Sequence, residues 1–216
     1  MSGTAVVAPA PEFTVLGVTP EPFAATPSLR FDVSAADESG RDVYTIALTT
    51  QVLVDADRRS YSPETREELL DLFGEPERIP QTAGSLVLAR VDSLVPSFTG
   101  AGAFSLTVPC TADLEQATSR YFSSLPGGVV PLSFQFSGTI FYCGEHDRLQ
   151  LTQVSWSCEA RYRMRLDVWR RLIETRHAGS GFVRLQPETL ARLRRFRARE
   201  GLPTFDAAIA RLLHDA

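Results

Sequence analysis

The chain has 216 residues, with 26 acidic residues against 22 basic ones and 44% hydrophobic residues, a composition typical of a soluble globular protein. All 22 basic residues are Arg, because the sequence contains neither Lys nor Asn. The absence of Lys excludes a Schiff-base lysine, a P-loop lysine under a nucleotide phosphate and the strand lysine of protein kinases.

The sequence carries no signal for export or membrane insertion. No apolar stretch approaches the ~20 residues needed to span a bilayer, and the N-terminus lacks the basic start and apolar run of a signal peptide. We therefore expect a cytoplasmic protein. Its cysteines, Cys110, Cys143 and Cys158, are widely spaced and form no Cys-x-x-Cys pair, which favours free thiols.

The first half of the chain is strand-like after a short lead-in. Residues 1–11 lack hydrophobic periodicity, which predicts disorder. Apolar residues then alternate with polar ones around Phe13–Val18, Leu29–Val33 and Val43–Val54. We expect these three strands to form an antiparallel meander.

Two helices interrupt the strand pattern. Ser62–Gly74 begins with a capping residue and a proline and ends on a glycine, as helices do. Strands are predicted again over Leu86–Val95 and Phe104–Val108. A second helix is predicted over Thr111–Leu125, where apolar residues recur with helical spacing.

The last third changes from strands to helices. Val130–Tyr142 and Leu149–Trp156 predict a hairpin, and Ala160–Leu166 predicts one more strand. Three helices follow, over Asp167–His177, from Pro187 onward and from Thr204 to Leu213.

Together these patterns predict an α+β fold with a mainly antiparallel sheet and a helical C-terminal part. We expect a sheet domain with two inserted helices over residues 12–166. A helical segment over residues 167–216 is expected to pack on the same domain.

Charge is distributed unevenly along the chain. Residues 1–158 contain 9 Arg against 19 acidic residues, net −10, whereas residues 159–216 contain 13 Arg against 7, net +6. The basic segment either lies against the acidic part of the same chain or docks an acidic partner. Nucleic acid is disfavoured, because the whole chain is acidic and Arg192–Arg199 offers only Phe196 for base stacking.

The helix from Pro187 is the best candidate for a partner-binding face, because guanidinium groups bind carboxylates through paired hydrogen bonds. Strand aromatics are ordinarily core residues, but an open edge strand would make them a binding groove. The predicted partner-binding residues are Arg192, Arg194, Arg195, Arg199, Phe134 and Phe136.

Two patterns keep an enzymatic alternative open. Cys143 and His146 have the spacing of half a zinc site, and His177 lies near Ser180 as a base lies near a nucleophile. Cys110 and Cys158 could complete the zinc site, yet these four residues do not form two close pairs in the sequence. For the hydrolase, the Gly-x-Ser-x-Gly elbow is absent. We therefore expect no catalytic residues, no metal and no cofactor.

Seven segments distributed over almost the whole chain carry a resemblance to a known family: Leu69–Arg78, Val95–Gly100, Val108–Thr111, Phe136–Phe141, Trp169–Arg170, Gly179–Gly181 and Pro203–Asp206. Together they resemble an actinobacterial family, the domain of unknown function numbered 6084. The lack of Lys agrees with the GC-rich genome of such an organism. The resemblance implies an accessory or assembly role, since members often lie beside genes for nickel-iron uptake hydrogenases, and the implied partner is a hydrogenase subunit or its precursor.

A second likeness concerns the order of elements in the core: the strands Phe13–Val18, Leu29–Val33 and Asp42–Val54, then Pro109–Cys110, a helix, Gly127–Gly128 and Pro131–Leu132. This order is faintly similar to that of the export chaperone SecB, whose four-stranded antiparallel sheet is followed by a helix. This sequence departs from SecB in the inserted helix near Pro63 and in the strands after Pro131. A SecB-like core implies an apolar sheet surface that binds extended client segments, and a homo-oligomer.

We therefore expect a non-enzymatic accessory protein that binds a partner polypeptide during assembly of a redox complex. One alternative is a permanent structural subunit of a larger complex, from which an accessory protein differs by leaving its client. Another is a small hydrolase or metal-dependent enzyme, which needs a cleft with converging polar groups.

Overall fold

The computed structural model describes residues 7–22, 24–74, 84–111, 113, 116–177 and 183–214, except the side chains of residues 176 and 177. The strands are β1 (Glu12–Pro20), β2 (Ser28–Ala36), β3 (Asp42–Asp55), β4 (Ser85–Val95), β5 (Phe98–Thr99), β6 (Ala101–Pro109), β7 (Val129–Cys143), β8 (Leu149–Gln153) and β9 (Glu159–Arg165). The helices are α1 (Pro63–Glu68), α2 (Leu70–Phe73), α3 (Ala117–Ser124), α4 (Leu166–His177), α5 (Pro187–Arg199) and α6 (Phe205–His214). The predicted α+β class is confirmed.

The strands form one antiparallel sheet in the order β1-β2-β6-β5-β3-β7-β8, with β4 also paired to β3 and β9 to β7. β2 lies between β1 and β6 and does not pair with β3. The expected meander of the first three strands is therefore wrong, because the second partner of β2 comes from a strand about 70 residues later in the chain.

The two halves of this sheet face each other, so the architecture is a β-sandwich. Phe31 on β2 and Phe134 on β7 are not neighbours along the sheet, yet their ring centroids lie 5.1 Å apart. Phe13 on β1 and Phe136 on β7 meet in the same way at 4.5 Å. The short strand β5 pairs with both β3 and β6 and links the halves.

Alternation of side chains builds this core. Leu29, Phe31 and Val33 on β2 are fully buried, while the residues between them are exposed or half-buried. Each such side chain contributes about 2–3 kcal/mol through removal of apolar surface from water. The inward faces of the strands therefore supply most of the driving force for folding.

The connection between β3 and β4 contains α1 and α2. Ser62 caps α1, since its hydroxyl accepts a hydrogen bond from the Thr65 backbone N–H at 3.3 Å. The hydroxyls of Tyr61 and Tyr121 lie 2.7 Å apart, which ties this connection to α3. The helix predicted here is confirmed, although it is divided at Leu69.

The helix predicted from Thr111 begins later in the structure. The Thr111 hydroxyl accepts a hydrogen bond from the Asp113 N–H at 3.0 Å, two residues ahead, which makes a turn rather than a helix cap. α3 starts at Ala117, after Gln116, whose side chain makes no cap hydrogen bond. Residues 112, 114 and 115 lie outside the described residues.

Two arginines hold the loop between α3 and β7 in place. Arg170 on α4 donates to the backbone carbonyls of Leu125 and Pro126, the latter at 3.1 Å. Arg59 donates to the carbonyl of Val129 at 2.8 Å. A guanidinium has five N–H donors in a planar fork, so one side chain satisfies more than one carbonyl.

The chain divides into two compact units, Met1–Gly181 and Phe182–Ala216. α4 belongs to the first unit and contacts β1, β2 and β9. The segment predicted as one helical part from residue 167 is therefore divided, with α5 and α6 in the second unit. The predicted packing of these two helices on the sheet domain stays a prediction.

Candidate partner-binding surfaces

The two predicted strand aromatics lie in the core. Phe134 is fully buried and Phe136 is 2% exposed. Their rings stack on each other with centroids 6.5 Å apart and contact the opposite half of the sandwich. The prediction that they contact a partner is therefore wrong for this fold, because β7 is a central strand that pairs on both sides.

The three cysteines among the candidate metal ligands each contact a different group. The Cys143 thiol faces Asp147 Oδ1 at 3.5 Å, the Cys110 thiol faces the Val108 carbonyl and the Cys158 thiol faces the Pro11 carbonyl. Within the described residues, no cluster of three or more His, Cys, Asp or Glu side chains could hold a metal ion. Ser180 and the side chain of His177 lie outside the described residues.

Cys110 borders a small cavity of about 190 Å³ next to α3. Burial raises the pKa of this thiol to about 12, so it stays protonated at neutral pH. The cavity is smaller than the 300–1,000 Å³ that is usual for small-molecule sites. Its walls also include Phe122 and Trp169, whose rings pack together at 5.1 Å.

A larger hollow of about 520 Å³ lies beside the start of β1. The carboxylate of Asp37 lines this hollow and accepts hydrogen bonds from nearby residues. Asp37 accepts hydrogen bonds from the backbone N–H of Ala10 at 2.7 Å and from the backbone N–H and hydroxyl of Ser39. These contacts give the carboxylate a structural role, because they hold the backbone at Ala10 next to the β2–β3 turn.

The second unit presents a row of exposed arginines on α5, which we call the basic stripe: Arg192, Arg195 and Arg199. These residues are spaced three and four apart, so they lie on one side of the helix. Leu193, only 9% exposed, marks the opposite, inward side. Arg194 is also exposed and lies outside the stripe.

Arg197 differs from the stripe residues because it is half-buried. Its guanidinium lies over the ring of Phe205 on α6, 4.6 Å from the ring centroid. This cation–π contact joins α5 to α6 within the second unit. Arg197 therefore has a structural role, and it differs in this from the exposed arginines of the same helix.

Among the described residues, the stripe guanidiniums make few hydrogen bonds or ion pairs. Arg192 and Arg194 have no ion-pair or hydrogen-bond partner among the described residues. Arg195 donates to the carbonyl of Ala191 in its own helix at 3.3 Å. Arg199 pairs with the adjacent Glu200 at 3.1 Å, and its side chain remains 74% exposed.

The net charges of the two units have opposite signs. Residues 182–216 contain 7 Arg and 4 acidic residues, net +3, whereas residues 1–181 contain 15 Arg and 22 acidic residues, net −7. Such a concentration of one sign steers association with the opposite sign. The stripe therefore suits carboxylate groups of an acidic polypeptide.

A second surface was missed by the sequence analysis. Leu149 and Leu151 on β8 are 61% and 60% exposed, and they lie beside Cys143 and Phe141 on the outer side of β7. Apolar and polar residues alternate in the β8 sequence, and this pattern predicts that the leucines face the core. In the structure the leucines face outward, because the register pairs them with outward-facing residues of β7.

No helix among the described residues is both long and apolar enough to cross a bilayer. No curated protein matches the chain in sequence. A family model, described as the family of unknown function DUF6084, matches residues 8–216.

Several solved structures are loosely similar to the chain. A late embryogenesis abundant (LEA) protein aligns with 10% identity over 72% of this chain and 71% of its own, with a TM-score of 0.33. A β-glucosidase from Kluyveromyces marxianus aligns with 9% identity over 72% of this chain and 15% of its own, TM-score 0.29. The sporulation control protein Spo0M from Bacillus subtilis aligns with 10% identity over 84% and 51%, TM-score 0.25. At these TM-scores the likeness shows neither a common fold nor a common function.

Proposed function

The chain belongs to DUF6084, a family of unknown function, and on that premise we propose that it is a non-enzymatic accessory protein in the cytoplasm. Its task is to bind an acidic partner polypeptide through the basic stripe. The observation that carries this proposal is the row of exposed guanidiniums on one side of α5.

The stability of the second unit does not account for the stripe. Exposed ion pairs contribute about 0–1 kcal/mol, and Arg192 has no pair at all among the described residues. Three guanidiniums of like charge within two helical turns repel one another to a small extent. Binding of carboxylates relieves this repulsion and supplies charge-assisted hydrogen bonds.

The family resemblance suggests the identity of the partner. We propose a subunit of a nickel-iron hydrogenase or its precursor, bound while the complex is assembled. The likeness to SecB suggests in addition that the client is bound in an extended conformation.

The test is affinity purification of the full chain from its native cells, followed by mass spectrometry of co-eluting proteins. We expect an acidic polypeptide that elutes as the salt concentration rises, since salt screens exposed charges. A permanent subunit would co-elute at fixed stoichiometry throughout, whereas an accessory protein would be recovered only with an immature client.

Two variants with the same change in net charge make the test specific to the stripe. The first carries Arg192→Glu, Arg195→Glu and Arg199→Glu. The control reverses three exposed arginines of β9, Arg161, Arg163 and Arg165, in the same way. We expect at least a tenfold loss of the partner with the stripe variant only. Equal recovery from both variants would refute the proposed surface.

A further inference from the structure

β8 is an edge strand without the usual protection. Within the described part of the chain, β1, β4, β8 and β9 each pair with a single neighbouring strand. Proteins guard such edges with charged residues, prolines or bulges, because unpaired edges bind other strands. β1, β4 and β9 all contain charged residues, whereas the β8 sequence Leu-Gln-Leu-Thr-Gln contains none.

The register identifies the free backbone groups of this edge. The N–H of Gly144 donates to the carbonyl of Arg148, and the N–H of Val154 donates to the carbonyl of Gly138. Hydrogen-bonded pairs alternate along an antiparallel ladder, so positions 148, 150, 152 and 154 bond to β7. The N–H and C=O groups of Leu149, Leu151 and Gln153 therefore point away from the sheet.

These groups are self-complementary about a two-fold axis. If Leu151 of one copy lies opposite Leu151 of a second copy, Leu149 lies opposite Gln153. Every residue in these pairs is one whose backbone groups are free, so each pair exchanges two hydrogen bonds. The four leucines then form one diagonal cluster on the outer face, next to Phe141 of each copy.

The segments flanking β8 fit the same arrangement. In this arrangement the turn Glu145–Arg148 of one copy lies beside Ser155–Ser157 of the other. The segment Ser155–Ser157 carries no charge, so it does not repel the charged residues of the turn. Trp156 lies in this second segment and is 95% exposed. Covering such a side chain removes a large apolar surface from water.

We propose that two copies of this chain pair through β8, antiparallel and about a two-fold axis at Leu151, to form a continuous sheet. The interface is isologous, so it closes after two copies. It uses the first unit, whereas the proposed partner binding uses the second. A failure of one proposal therefore leaves the other standing.

The test is light scattering of the full chain during size-exclusion chromatography. We expect the wild type to have twice the chain mass of 23.8 kDa. Leu151→Glu places two carboxylates opposite each other, and Leu151→Arg places two guanidiniums there. Each variant alone should raise the dissociation constant at least tenfold, because like charges directly opposite are unfavourable.

An equal mixture of these two variants should form a mixed dimer, which unfolded variants could not do. Leu94→Glu is the control, because Leu94 is a 73% exposed leucine on β4 and its replacement should leave the dimer intact. The proposal is overturned if the wild type stays monomeric at about 100 μM, a concentration that populates even weak dimers. It is also overturned if both charged variants remain dimeric on their own.

Discussion

Replacing Thr50 with Val should stabilise the protein, although most core substitutions destabilise. Thr50 lies in the middle of β3, is fully buried and sits between Val91 and Phe136 of the adjoining strands. Its hydroxyl has no hydrogen-bond partner among the described residues. An unsatisfied buried hydroxyl costs about 1–3 kcal/mol, the free energy of removing it from water.

The expected gain follows from the change in one group. Val keeps the branched shape and replaces the hydroxyl by a methyl, which fits among apolar neighbours. We expect the free energy of unfolding to rise by about 1–2 kcal/mol. In a domain of this size that corresponds to roughly 2–8 °C in Tm.

Chemical denaturation of the wild type and two variants measures the effect. Thr45→Val is the matched control on the same strand, because the Thr45 hydroxyl donates to the Val95 carbonyl at 2.8 Å. That variant should lose about 1 kcal/mol. Destabilisation by Thr50→Val, with unchanged dependence on denaturant, would refute the reasoning.

Three further predictions follow from the core. Gly138→Ala should lower the free energy of unfolding by more than about 2 kcal/mol, because a Cβ there would lie 2.1 Å from the Ala47 carbonyl oxygen. Gly17→Ala is the control: Gly17 has open space around it, so this variant should be nearly neutral in denaturant unfolding. Phe134→Ala should lower the free energy of unfolding by about 3–5 kcal/mol in the same measurement, because the side chain is fully buried. A variant that loses binding to the partner protein but keeps its stability would contradict this core position. Burial raises the pKa of Cys110 to about 12, so its contribution to stability is intact below about pH 8.5 and is lost as the pH rises towards 12. The alkaline fall in unfolding free energy should be shallower in Cys110→Ala, and equal slopes would contradict this.

Hydrophobic periodicity predicted the inward face of β3 with one exception. Ile46, Leu48, Val52 and Val54 are buried as the alternation requires. Tyr44 belongs to the same alternating set but is 45% exposed. The register shifts between Val43 and Thr45, and a bulge of this kind changes the face on which the next residue lies.

Strand pairing was beyond what a local pattern can give. β2 pairs with β6 through residues such as Phe31 and Leu106, which are far apart in the chain. Such pairing depends on how the two sheet halves pack, and no window of 10–20 residues contains that information. The outward leucines of β8 were missed for the same reason, since their face is fixed by the register with β7.

The Arg-rich helix was found from composition and spacing because both are local. Exposure of Arg192, Arg195 and Arg199 follows from the helical period once Leu193 is known to face inward. The role of Arg197 was not predictable, because its partner Phe205 lies on another helix. The long-range contact with Phe205 thus distinguishes Arg197, which has a structural role, from the three candidate binding arginines of the basic stripe.

Site-specific photo-crosslinking tests most directly the central claim that the basic stripe binds an acidic partner protein. Ala191 is exposed on α5, next to Arg192 and one turn before Arg195. A benzophenone amino acid at this position, activated in native cells, should form an adduct with an acidic segment of another protein. That adduct should vanish when Arg192, Arg195 and Arg199 are changed to Glu. Adducts only with residues of the chain's own first unit would contradict the account, because the stripe would then bind within the molecule.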